Sequence, residues 1–340
     1  MRELLPELEN WLASGKKVAL ATVVSTWGSA PRPPGSFMAV SEDGEIAGSV
    51  SGGCVEGAIV EASKKAIKLE KAELLHFGVA DETAWDVGLA CGGEIDIFVQ
   101  PLETDTVSAL LPHIKADRSV TLATVISGQI ELLGAQLVRS EDEIIYRSNA
   151  LEISIESISE QIKAQTIPNR FTVESSDGSE YFINPINPSP TLIMIGGVHI
   201  AIALAEIARS VHFRTVIVDP RRAFGTTERF AHADKLIQAY PGKAFQTIEI
   251  NASTSIASLS HDPKIDDSAL IAALNSPAFY IGALGSAKTQ KRRLKRLAEG
   301  GVSEEALQRI EGPIGLDIGA LTPEEIALAI MAQVVAAYRS

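Results

Sequence analysis

The chain of 340 residues has two cysteines, and both stand beside glycine pairs. Cys54 follows Gly52-Gly53 in the stretch GSVSGGCVE, residues 48–56, directly ahead of a predicted helix from Val55 to Leu69. Cys91 opens the fragment Cys91-Gly92-Gly93-Glu94. Glycines admit positive φ and the close approach of a ligand, while a helix start offers free N–H groups and a positive dipole end. A thiol in that setting is biased toward thiolate, which is both a nucleophile and a soft-metal ligand. Glu56 either anchors the turn by accepting backbone donors or relays a proton. The opposing reading makes both cysteines small buried side chains, the common fate of a free thiol.

Arg32 is the next candidate. Pro31, Pro33 and Pro34 stiffen its loop, so its guanidinium is held ready for an anion, with phosphate the natural bidentate partner; a solvated surface arginine is the alternative. Asp81, Glu82 and Asp86, near Cys91, read as solvated loop charges and not as a carboxylate dyad.

A second set of groups lies further along. Gly196-Gly197-Val198-His199-Ile200-Ala201 is an altered dinucleotide fingerprint, with Val198 where a second glycine lets backbone approach a pyrophosphate. Val198 weakens the case for NAD(P) and leaves another phosphorylated ligand open. Asp219 ends the following strand, where it would meet a ribose hydroxyl, and Arg221 and Arg222 are placed to meet phosphate instead. His199 either faces the same crevice or caps a helix. Gly282 and Gly285 with Ser286 open another helix and form a second candidate anion cradle, and His261-Asp262-Pro263 ends a neighbouring strand. Each of these also reads as an ordinary turn.

The elements that must position these groups fall into two domains. Residues 1–188 read as an α+β domain including a linker. A helix over residues 3–14 leads to strands Val18–Val24, Ser36–Val40 and Ile46–Val50, and later to Ile95–Gln100. VALATVVS from Val18 is echoed by VTLATVIS from Val120, and GSFMAVSEDGE from Gly35 by GAQLVRSEDEI from Gly134. Two copies of a strand-loop-strand unit are therefore expected to build one sheet, as its scaffold. The proline-arginine and glycine-cysteine stretches occur in the first copy alone. IESISEQI reads as a short helix, and Asp177-Gly178 as the turn of a hairpin. Residues 189–340 alternate strand and helix, including strands over Thr191–Gly196, Thr215–Val218, AFQTIEI (244–250), SIASLS (255–260) and Phe279–Ile281. That pattern predicts a Rossmann-like, doubly wound parallel sheet. The last helix starts in a capping box, Thr322 to Glu325.

Composition narrows the partners. A net charge of −13 argues against nucleic acid and an anionic membrane surface. No stretch is long and apolar enough for a membrane span. Three glutamates before residue 10 are unlike a signal peptide. Two cysteines then suit a reducing, cytoplasmic setting, with a transient Cys54–Cys91 disulfide left open. The absence of a CxxC pair speaks against structural zinc.

Taken together, GSAPRPPGSFM, GSVSGGCVEG, LACGGEIDIFVQPL, IGGVHIAIALAEIA, VDPRRAF, SHDPKIDDSAL, YIGALGS and GPIGLDIGALTPEEIALAI resemble the XdhC/CoxI family over almost the whole chain, in the family's order. Family members are accessory proteins of xanthine dehydrogenase and related molybdenum hydroxylases. The resemblance implies an accessory protein, more than a catalyst, that binds the molybdenum cofactor (molybdopterin) transiently. It also implies help with sulfuration by a cysteine desulfurase and with delivery to a xanthine dehydrogenase-type client. Carried over, the motifs place cofactor-binding residues at Arg32, Gly52, Gly53, Cys54, Glu56 and Cys91, with molybdenum at Cys54. Gly196, His199, Asp219, Arg221, Gly282 and Ser286 are the candidates in the second domain. The family's GAGH reads Gly196-Gly197-Val198-His199 here. An NAD(P)-binding oxidoreductase and a non-catalytic docking scaffold are the alternatives, and a homo-oligomer is compatible with each.

Overall fold

The computed structural model describes residues 1–30, 32–78, 92–140, 143–149, 151, 171–175 and 178–339. Pro31, Asp81, Glu82, Asp86, Cys91, the IESISEQI segment and Asp177 lie outside them. The chain divides into two compact units, Met1–Pro188 and Ser189–Ser340.

The first unit is built on the repeat. Strands β1 (Val18–Trp27), β2 (Phe37–Ser41), β3 (Ile46–Gly48), β4 (Glu73–Phe77) and β5 (Glu94–Pro101) form an antiparallel sheet of order β3-β2-β1-β5-β4. Strands β6 (Val120–Ser127), β7 (Gln136–Ser140), β8 (Glu143–Arg147), β9 (Phe171–Glu174) and β10 (Glu180–Ile186) form a second, of order β8-β7-β6-β10-β9. The two orders are the same, so the echo between Val18 and Val120 marks a duplicated five-stranded sheet, and not the single shared sheet expected. β1 pairs with β2 and β5, and β6 with β7 and β10, so neither repeated strand has an edge left to join the other copy. β9 and β10 form the expected hairpin.

Strand alternation sorts the side chains. From the first sheet, Ala21, Val23, Met38 and Val40 pack against Val55, Ile59 and Ala66 of helix α2 (Glu56–Leu69) and its approach. The opposite face, with Leu20, Phe37 and Ala39, meets Leu122 and Val138 of the second sheet. Helices α1 (Leu5–Ala13) and α3 (Thr104–Lys115) supply Leu8, Trp11, Leu110 and Ile114 to that same core. Val24 and Phe98 touch Ile126 and Phe182, which brings the central strands of the two sheets face to face.

The second unit is a parallel sheet of order β13-β12-β11-β14-β15-β16. Its strands are β11 (Thr191–Ile195), β12 (Arg214–Val218), β13 (Lys235–Ile237), β14 (Thr254–Ser258), β15 (Tyr280–Ala283) and β16 (Ile310–Glu311). Helices α4 (His199–Ser210) and α7 (Pro323–Arg339) cover one face, and α5 (Pro263–Leu274) and α6 (Ala287–Glu299) the other. With both faces covered, its central strands are buried on both sides and read as apolar runs, as LIMI of β11 and VIV of β12 do. The predicted Rossmann-like sheet is present, and the Thr322–Glu325 capping box forms.

One expected strand does not form. AFQTIEI follows Pro241, whose fixed φ starts the helical turn Pro241–Ala244, and Phe245 N–H donates to Pro241 O. The third strand is instead the short Lys235–Ile237, which carries too few residues for a period-2 signal.

Candidate functional site

Pairing register gathers the first unit's motifs. Trp27 lies opposite Glu94, Thr22 opposite Phe37, Met38 opposite Gly48 and Phe77 opposite Ile95. The end of β1, the start of β2, the ends of β3 and β4 and the start of β5 therefore share one end of the sheet. The Arg32 loop and the Cys54 loop both leave from it, and so does Gly92-Gly93, next to Cys91 in sequence. Gly93 packs against the first of these loops: a Cβ there would stand 2.6 Å from Ser29 O and 2.9 Å from Trp27 O.

The glycine-cysteine turn is held by Glu56, the first residue of α2. One carboxylate oxygen accepts Ser49 Oγ at 2.7 Å and Ser51 N at 2.9 Å. The other accepts Gly53 N at 2.8 Å and Ser51 Oγ. Gly52 and Gly53 carry φ of 74° and 118°, which a side chain would resist. Burial alone would raise the Glu56 pKa, yet the bonds from Ser51 and Ser49 outweigh it and hold the carboxyl at about 2. Gly52 N donates to Ser49 Oγ at 2.9 Å. Both glycine amides are thus engaged inside the turn, and the group left facing outward is the exposed free thiol of Cys54. Arg32 is half-buried and makes no hydrogen bond or ion pair among the described residues.

Sequence reading passed over His76, because β4 was not recognised. His76 Nδ1 lies 2.7 Å from Asp96 Oδ1 across the β4–β5 pair, close to the same end of the sheet. His76 and Asp96 meet through the β4–β5 register, which the five residues of ELLHF are too few to announce in the sequence. Among the described residues, no group of three or more His, Cys, Asp or Glu side chains is placed to hold a metal.

In the second unit the strand order reverses between β11 and β14, where crevices form in such sheets. Ile195 O accepts Leu259 N at 2.8 Å there, and the Gly196 backbone abuts Ser260. His199 is exposed at the first position of α4, and its side chain caps nothing. Asp219 is fully buried at the end of β12 and takes Arg221 and the Gly197 amide as partners. Gly282 is buried in β15, where a Cβ would meet Tyr280 Oη at 2.5 Å and Ile314 at 2.6 Å, so packing accounts for that glycine. Ser286 caps α6 by accepting Thr289 N at 3.3 Å. Two buried polar groups were not anticipated. Asp266 accepts Ser258 Oγ at 2.7 Å and Ser260 Oγ at 2.6 Å, and Arg293 donates to Leu284 O at 2.7 Å and Gln290 Oε1 at 2.5 Å.

Two family models match the chain: the XdhC and CoxI family over residues 11–78, and the XdhC Rossmann domain over residues 192–334. A relative from Bacillus subtilis (strain 168), described as a probable xanthine dehydrogenase subunit, is 25% identical over 330 residues, covering 96% of this chain and 95% of that protein. The molybdenum cofactor insertion chaperone PaoD of Escherichia coli (strain K12) is 27% identical over 325 residues, with coverage of 95% and 84%. A crystal structure described as a xanthine dehydrogenase from Bacillus halodurans has the same fold, with a TM-score of 0.74, 23% identity and coverage of 98% and 95%. Duplicated sheet, glycine-cysteine turn and six-stranded parallel sheet accompany matches in both units, and the chain belongs to the XdhC/CoxI family.

Proposed function

We propose that this protein is an accessory factor that takes the molybdenum cofactor as cargo and delivers it to a xanthine dehydrogenase-type hydroxylase, with Cys54 as the contact to molybdenum. The observation that carries this reading is the exposed Cys54 thiol, presented by a turn whose two glycine amides are already satisfied by Glu56 and Ser49. Molybdopterin is a phosphate-bearing pterin dithiolene. A soft thiolate suits its metal, and an arginine with no partner among the described residues suits its phosphate. Arg32 is that arginine, and its loop leaves the sheet at the same end as Cys54. Gly52 and Gly53 give the cargo close access to the thiol, and Glu56 acts by holding them. Cys91 would be a second thiol for the same cargo.

A carrier must also release what it binds. One or two thiolates, with no three-residue metal cluster among the described residues, suit transfer better than a closed cage would. Sulfuration of the cargo by a cysteine desulfurase places the protein in the reducing cytoplasm, where Cys54 stays free. The experiment is anaerobic incubation with molybdenum cofactor, desalting, and quantification of molybdenum and pterin for the wild type and Cys54→Ala. Retention of both should fall in the variant. Equal retention would show that Cys54 does not contact the metal.

A further inference from the structure

A parallel sheet of this order commonly reads a dinucleotide at its first strand-helix turn: a glycine amide and the helix start face the pyrophosphate, and an acidic residue ending the next strand accepts a ribose diol. In this chain the acidic residue is already saturated. Asp219 Oδ1 accepts Arg221 N at 2.8 Å and Arg221 Nε at 2.9 Å. Asp219 Oδ2 accepts Gly197 N at 2.7 Å and Arg221 Nη2 at 2.8 Å. A carboxylate has about four lone-pair sites, and all four are occupied in a side chain with 0% exposure.

The loop after Asp219 also covers the turn itself. A Cβ on Gly197 would stand 2.5 Å from Phe224 O and 3.1 Å from the Phe230 ring. That carbonyl is fixed from its other side by Arg229 Nη1 at 2.9 Å, and the Arg221 guanidinium lies 4.1 Å above the Phe224 ring centroid. Phe224 N and Gly225 N close the loop on Arg221 O at 3.0 and 3.1 Å. Val198 adds bulk where a second glycine would stand.

We infer that Asp219 and Arg221 form an internal clasp in the place of a ribose diol, so that the second unit rejects nicotinamide dinucleotides. Asp219 is then a positioning residue, which ties the Gly196-Gly197 turn to the Arg221–Gly225 loop. A ribose could reach its carboxylate only by displacing a bidentate guanidinium from a buried site, which gives up the ion pair and leaves Arg221 without its acceptor. Any phosphorylated ligand of this unit is therefore read without its ribose hydroxyls at Asp219.

The test uses the full chain with NAD+ and NADP+ as probes, titrated calorimetrically, together with amide hydrogen exchange over peptides spanning 195–198 and 220–226. The wild type should show no saturable binding of either nucleotide up to about 1 mM. In Asp219→Asn, exchange at the Gly197 and Arg221 amides should accelerate by about tenfold or more, because each loses a charged acceptor. Arg221→Lys keeps the charge without the fork; it should give a smaller acceleration at Gly197 and provides a second reading if the Asn variant folds poorly. Micromolar binding of either nucleotide to the wild type would overturn the inference, as would unchanged Gly197 exchange in both variants. Neither measurement involves Cys54 or molybdenum, so the clasp and the cargo reading fail separately.

Discussion

Replacing Glu56 by Gln probes the cysteine turn at its anchor. The carboxylate accepts Ser49 Oγ, Ser51 N, Ser51 Oγ and Gly53 N, two on each oxygen. An amide of the same shape keeps one acceptor oxygen and turns an NH2 group toward the other pair. Either Ser51 N or Gly53 N is then left facing a donor. The carboxyl pKa of about 2, against an ordinary 4.5, sets the scale. Felt in full, that shift is worth ~3 kcal/mol. Partial exposure to water reduces it to about 1–2 kcal/mol. Local opening of the turn should therefore become about 5–30 times more frequent. Amide exchange at Ser51 and Gly53 reads this directly, and the rate at which a disulfide reagent modifies Cys54 reads its effect on the thiol. Exchange at Ser51 and Gly53 unchanged in a folded Glu56→Gln variant would refute the anchoring role.

Three other outcomes follow from the same geometry. Because the Glu56 pKa is depressed on folding, its stabilisation of the turn is complete above about pH 4.5 and disappears as pH falls toward 2. Protection of the Cys54-turn amides, taken relative to their intrinsic exchange rates at each pH, should therefore fall over that window in the wild type and stay constant in Glu56→Gln. Gly93→Ala places a methyl 2.6 Å from Ser29 O; it should cost about 1–3 kcal/mol in urea denaturation and loosen residues 28–30, and a neutral result would mean that the two loops do not pack closely. Tyr280→Phe removes the Oη bond to Gln333 Oε1 at 2.6 Å, which also receives Gly315 N at 2.7 Å, and should lower the melting temperature of the second unit by about 2–4 °C.

Much of the architecture was legible because strands and helices announce themselves locally. VALATVVS and VTLATVIS are dense in β-branched residues, and their repetition marked a duplicated strand-loop-strand unit, although each copy forms a sheet of its own and not half of a shared one. TLIMI, followed by glycines and an amphipathic run, specified a buried strand and its helix. Some of the shortest elements were missed. β4, β13 and β16 are too short for alternation to stand out, and AFQTIEI resembled a strand that Pro241 converts into a turn.

For the site, the sequence by itself determined which residue types were present and where turns had to be. Gly-Gly-Cys ahead of a helix allowed positive φ at the glycines, which the turn adopts, and placed Glu56 where a carboxylate can accept backbone donors. Tertiary structure alone decided what each polar group has left to offer. Chain order cannot show that Asp219 is filled by Arg221 and Gly197, because those bonds depend on a loop folding back across a strand end. Nor can it show that the Arg32 and Cys54 loops leave one end of a sheet, since antiparallel register brings together residues far apart in the chain. Hydrogen-bond capacity is finite, and only the folded chain determines how much of it remains for a ligand.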